Sequence, residues 1–214
     1  MEEQIFAYCE RTAAGFWAEP VNAITNAAFL ISAAIMATRL RGAQLTLAWA
    51  LVTVLAAIGV GSFQWHTFAT RWAALTDVIP ILVFILIYLF AATRDFLGLR
   101  WPWAALAVAL FLPYAIAVAS GLSWLVPGIG GNAAYASVAL LILAYGLWLL
   151  PRHPATARGL LIGAGILAVS LTFRALDRPL CDVLPIGTHF LWHLLNATML
   201  GWMIEVYRRH MTPG

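Results

Sequence analysis

Long apolar runs alternate with short polar breaks along this chain, and the runs have the length of bilayer crossings. A helix that crosses the hydrocarbon needs about 20 mostly apolar residues. Charges and turn formers cut the sequence into seven such pieces, at roughly 20–38, 44–67, 72–93, 101–120, 132–150, 158–175 and 186–206. The fourth and fifth share a charge-free run from Trp101 to Pro151, too long for one crossing, and the turn signal Pro127-Gly128-Ile129-Gly130-Gly131-Asn132 divides it. The runs are too long and too uniformly apolar for barrel strands, and a spanning helix satisfies its own backbone polar groups. The expectation is an all-α polytopic membrane protein, a seven-transmembrane helix bundle forming one domain over residues 1–214.

Composition agrees with this pattern. The chain is 63% hydrophobic and 10% charged, where a soluble domain carries about 25% charged residues. Its start, Met1-Glu2-Glu3 with further acids up to Glu19, lacks the basic stretch of a cleavable leader, so the first apolar segment is expected to be retained. The formal charge of +3 resides in short loops between apolar runs, where it reports topology and not a nucleic-acid partner. All twelve basic residues are arginine, and the absence of lysine excludes a retinal Schiff base.

The loops after the first, third and fifth segments and the C-terminal tail hold Arg39, Arg41, Arg94, Arg100, Arg152, Arg158, Arg208 and Arg209. The opposite side holds Arg11, Arg71, Arg174 and Arg178. The positive-inside rule then predicts an extracytoplasmic N-terminus and a cytosolic C-terminus. In a bacterial cell the membrane would be the inner one.

Ionisable groups inside spans are costly and usually functional. Four stand out: His66, Asp77, His189 and His193, whereas His153 and His210 fall in cytosolic loop or tail. His189 and His193 lie four residues apart, one turn apart on one helix face, within reach of a single metal ion. Alone, such a pair reads equally well as two core histidines bonded to backbone or hydroxyl partners. Depth adds to it. A short turn around Ala69-Thr70-Arg71 joins the second and third segments, so His66 and Asp77 reach similar depth near the extracytoplasmic end, where the last segment enters. Three imidazoles and a carboxylate thus share one level of one leaflet. Three neutral histidines with a free fourth position are a typical catalytic zinc set, and Ser62, four residues before His66, shares its helix face.

Other polar positions admit quieter readings. Glu19, Asn22 and Asn26 line one face of the first segment, with Pro20 placed in its first turn. The asparagines suit interhelical hydrogen bonds, while Glu19 suits either support of the histidines or a separate cation. Cys9 and Cys181 both fall outside the membrane, where an oxidising compartment permits a bridge that would pin the N-terminal tail over the site; two free thiols are the alternative. Arg174 and Asp177 are spaced to pair with each other. Trp17, Trp72, Trp101 and Trp148 read as interfacial anchors, and Trp65 and Trp192 as packing walls beside the histidines.

The ordered motifs Cys9-Glu10, Ala18-Glu19-Pro20-Val21-Asn22-Ala23-Ile24-Thr25-Asn26, Gly61-Ser62-Phe63-Gln64-Trp65-His66, Asp77 and Gly187-Thr188-His189-Phe190-Leu191-Trp192-His193 resemble the alkaline ceramidase family, within the wider group of seven-helix hydrolases that includes the adiponectin receptors. The resemblance implies zinc on His66, His189 and His193, with Ser62 and Asp77 beside a metal-activated water, and cleavage of ceramide into a sphingoid base and a fatty acid. It also implies calcium near the N-terminus, for which Glu10 and Glu19 match, although Ala7 stands where the family has an aspartate. A bridge between Cys9 and Cys181 agrees with the family's luminal cystine.

On this reading Asp77 takes a proton from the attacking water and returns it to the amine, and Ser62 donates a hydrogen bond to the developing oxyanion. The partner is a membrane lipid, ceramide or another N-acyl lipid, entering laterally from the outer leaflet. A metal-binding receptor or transporter without hydrolase activity is the rival reading.

Overall fold

A computed structural model describes residues 3–212. The first rod consists of α1 (Pro20–Thr25) and α2 (Ala27–Arg39), which meet at Asn26. Pro20 opens it, where a missing N–H has no cost. The interruption follows from local competition for carbonyls. Thr25 Oγ1 reaches Val21 O at 2.8 Å and Asn22 O at 3.0 Å, and Asn26 Nδ2 donates to Asn22 O at 2.8 Å. Side chains that bond back to the preceding turn weaken the helical ladder. Asn26 therefore bonds within its own rod and not across to another helix.

Next come α3 (Thr46–Phe68) and α4 (Arg71–Ala91), the latter running on through a π-helical turn at Ala92–Phe96. They form a tight antiparallel hairpin. Its pivot, Ala69, adopts the left-handed conformation (φ 52°), an uncommon one for a residue with a Cβ. The turn is held by Ala69 N–H on Trp65 O at 3.0 Å and by Ile5 N–H on Ala69 O at 2.7 Å. Beyond lie α5 (Trp101–Leu125), α6 (Asn132–Leu149), α7 (Pro154–Leu176) and α8 (His189–Met211), with a 3-10 turn at Arg178–Leu180 before the last. The expected spans are all present as helices, with shifted ends. Pro154 starts α7 four residues before the expected 158, and Gly187, at φ +67°, keeps the chain out of helix until His189.

Among the described residues, six rods are long and apolar enough to cross a membrane: Pro20–Arg39, Thr46–Phe68, Arg71–Phe96, Trp101–Leu125, Asn132–Leu149 and Pro154–Leu176. In α5 only 6% of the most apolar stretch is buried, and Trp124 is 82% exposed. Soluble monomers rarely expose contiguous apolar patches beyond a few hundred Å², so this outer surface belongs in lipid and the chain is a multi-pass membrane protein. α8 is different. Carrying His189, His193, Asn196, Glu205, Arg208 and Arg209, it is less apolar, yet most of its residues are buried against α7, α2 and α3. The core around it contains Leu51, Leu55, Ile58, Leu160, Met203 and Ile204.

Candidate metal centre and cavity

His66 lies in the last turn of α3, and His189 and His193 in the first two turns of α8. All three are buried, and one ring nitrogen of each lies within 4.8 Å of the others. Ring centroids are 4.6 to 5.2 Å apart. His66 Nε2, His189 Nδ1 and His193 Nε2 are buried without a hydrogen-bond partner. Buried polar atoms are nearly always satisfied, so three orphans in one place call for a shared ligand. Three neutral imidazoles are a donor set that suits a divalent metal ion, and the residues present fit one.

The other ring nitrogens of His66 and His193 are anchored. His66 Nδ1 lies 2.6 Å from Glu19 Oε2, and because a carboxylate only accepts, that nitrogen carries the proton and leaves Nε2 bare. His193 Nδ1 lies 2.9 Å from Thr25 Oγ1, whose own hydrogen is directed to Val21 O. His193 is thereby also assigned the tautomer with a bare Nε2. His189 is fixed differently: its backbone N–H donates to Asp177 Oδ1 at 2.9 Å, and its ring stacks on Tyr8 with centroids 3.8 Å apart. The break at Asn26 and the hydroxyl of Thr25 therefore serve α8, a role not read from the sequence.

The N-terminal segment forms a strap across the cluster. Cys9 and Cys181 are joined by a disulfide. Asp177, 1% exposed, accepts backbone N–H groups from Cys9 (3.1 Å), Thr188 (2.8 Å) and His189 (2.9 Å). It ties the tail, the last loop and the start of α8 to one carboxylate. Gly187 is what makes room, since a Cβ there would stand 2.0 Å from Asp177 Oδ1. The expected Arg174–Asp177 pair does not form. Backbone amides take up Asp177, whereas Arg174 bonds to Asn132 Oδ1 and lies over the rings of Tyr135 (5.1 Å) and Trp192 (5.4 Å).

Below the cluster an apolar cavity runs between α3, α4, α6, α7 and α8. Its polar end holds Ser62, Asp77 and Asn196, and its apolar length includes Ile81, Leu167 and Met199. Phe29 and Trp192, in its wall, stand 6.4 and 6.5 Å from the rings of His193 and His189. Ser62 is buried and Asp77 half-buried, with the Ser62 hydroxyl against the Asp77 carboxylate. Their approach depends on Gly61: a Cβ there would meet Thr76 O at 1.9 Å and Asp77 N at 3.2 Å. A glycine is what lets the two backbones come that close.

The acids matched to calcium do not converge on an open site. Glu10 accepts the N–H groups of Val21 (2.6 Å) and Asn22 (2.8 Å) at the start of α1, and burial holds its carboxyl above the ordinary carboxylate range. Glu19 receives Arg11 Nε at 2.5 Å, His66 Nδ1 at 2.6 Å and Asn22 Nδ2 at 3.3 Å. The residues present do not fit a calcium ion.

Fold and site together define a multi-pass helical membrane protein with a buried three-histidine ligand set at the head of an apolar cavity. The sequence model of the family Ceramidase matches residues 5–211, nearly the whole chain, and the chain belongs to that family. No curated protein matches it. Family membership implies a ceramide-like lipid substrate and amidohydrolase chemistry.

Proposed function

We propose that this chain is a zinc-dependent amidohydrolase of the membrane, cleaving ceramide or a similar N-acyl lipid into a sphingoid base or amine lipid and a fatty acid. The observation that carries the reading is the set of three orphaned imidazole nitrogens next to a cavity whose one polar end holds Ser62 and Asp77. His66, His189 and His193 would hold the ion, which supplies a Lewis acid able to polarise an amide carbonyl and to acidify water.

The protein's own groups do the rest. Asp77 takes the proton of the attacking water and returns it to the amide nitrogen as the C–N bond breaks, releasing a neutral amine. Ser62 donates a hydrogen bond to the carbonyl oxygen as charge develops there. Glu19 and Thr25 keep the rings of His66 and His193 in the binding tautomer. The apolar length of the cavity takes an acyl chain and excludes water from it.

In this reading α8 is the seventh crossing of a single domain. The N-terminus and site face the extracytoplasmic side, and the arginine-rich ends face the cytosol. The almost wholly apolar cavity favours a lipid over a transported ion. The test is metal analysis together with fatty-acid release from short-chain ceramides. Wild type should carry one equivalent of zinc and release fatty acid, and the triple histidine-to-alanine variant should do neither. Asp77→Asn should keep zinc and lose turnover. Zinc-loaded wild type that releases nothing from several N-acyl lipids would refute the hydrolase.

A further inference from the structure

Arg11 was expected only as a loop charge, yet its side chain is fully buried and every donor it has is used. Nε donates to Glu19 Oε1 at 2.5 Å; Nη1 to Gln4 Oε1 at 3.3 Å and Gly15 O at 3.1 Å; Nη2 to His66 O at 3.0 Å and Thr67 O at 3.4 Å. A guanidinium has five N–H groups in a planar fork, and here each finds an oxygen. Two of those oxygens are carbonyls in the last turn of α3, where helices leave acceptors unsatisfied and where positive charge is favoured. The others come from the strap itself, so one cation joins the tail, Glu19 and the end of the helix that carries His66.

The path continues from Glu19 Oε2 to His66 Nδ1. We propose that Arg11 is a positioning residue for the three-histidine site, and that its guanidinium is the resident cation of the strap, filling the oxygen cluster that calcium would need. A carboxylate, an amide oxygen and main-chain carbonyls are the donors a hard divalent ion takes, but all of them already face Arg11. Arg11 fixes the buried Glu19 carboxylate, Glu19 fixes the tautomer and tilt of His66, and the strap holds without calcium. The part that concerns His66 rests on the metal-site reading above; the calcium part does not.

The experiment uses the full chain in detergent micelles, as wild type, Arg11→Met, Glu19→Gln and the double variant. Cobalt(II), with its visible bands, probes the histidines. Arg11→Met should weaken cobalt binding about 10- to 100-fold, the range seen when a ligand's supporting group is lost, and should shift the bands. Because Arg11 acts through Glu19, the double variant should bind no worse than Glu19→Gln alone. Unchanged affinity and bands in Arg11→Met, or additive losses in the double variant, would overturn the proposal. Arg11→Lys is the second variant should the methionine protein not fold. A compact ammonium cannot meet five oxygens in one plane, so its cobalt affinity should fall below wild type, and wild-type affinity would count against the proposal.

Calcium is tested separately. Wild type should show the same melting temperature in EGTA and in calcium chloride and retain no calcium; a calcium-dependent rise would sink the resident-cation role. If wild type binds no cobalt, the metal-site reading fails on its own terms. Amide hydrogen exchange over residues 4–18 then decides: faster exchange in Arg11→Met supports the proposal, and unchanged exchange overturns it.

Discussion

Gly61→Ala places a single methyl group between α3 and α4, where the structure has no space for it. The new Cβ would lie 1.9 Å from Thr76 O and 2.6 Å from Thr76 C, whereas ordinary contacts begin at 3.4 Å. The obstacle is main chain and has no rotamer to escape into, so the helices must part locally by about 1.5 Å. Overpacking of this kind costs about 1–3 kcal/mol, and the gain in helix propensity over glycine offsets roughly 0.8–1 kcal/mol of it. A net loss of at most about 2 kcal/mol follows. The larger effect is on function, because the movement separates Ser62 from Asp77, and a misplacement of about 1 Å lowers a rate on the order of 100-fold. Turnover of a short-chain ceramide, with zinc measured on the same sample, should therefore fall about 100-fold while the metal remains bound. Gly165→Ala is the control: nothing lies within 4 Å of its Cβ, so stability should hold or rise slightly. Wild-type turnover in Gly61→Ala would refute the idea that this close approach sets the Ser62–Asp77 geometry.

Asp177→Asn keeps the shape of the side chain but turns an amide N–H₂ toward one of three backbone donors; a loss of about 1–3 kcal/mol is expected, read as a lower melting temperature. Replacing Cys9 and Cys181 by serine should cost about 2–4 kcal/mol, checked by thermal unfolding with and without reductant. Tyr8→Phe should leave metal affinity near wild type, since the hydroxyl receives only a 3.4 Å bond from Trp65 Nε1. Tyr8→Ala removes the ring stacked on His189 and should weaken zinc binding measurably by competition with a chelator.

The rods and the histidine cluster were legible because each rests on a one-dimensional signal. Apolar runs of bilayer length mark the helices, and His66, Asp77, His189 and His193 draw notice as polar groups inside them. What surrounds the cluster was less so. Tyr8, Arg11 and Thr25 are unremarkable types in a tail or a polar stripe, and their partners are rings and carbonyls far away in the chain. A clue to Arg11 was available: an arginine on the arginine-poor side, eight residues from a glutamate at the membrane edge. Local spacing was misleading at Arg174 and Asp177, where backbone amides bid for the carboxylate more effectively than a guanidinium one turn away. The approach at Gly61 had no signal beyond a glycine next to the serine, because it depends on the crossing of two helices.

The ligand set draws on both ends of the chain, His66 on the second rod and His189 and His193 on the last. Synthesis proceeds from the N-terminus, so every nascent intermediate that lacks α8 offers a metal one imidazole of three. If the three imidazoles hold an ion as proposed, its capture waits for the completion of the polypeptide, and a stalled or C-terminally truncated product lacks two of the three ligands.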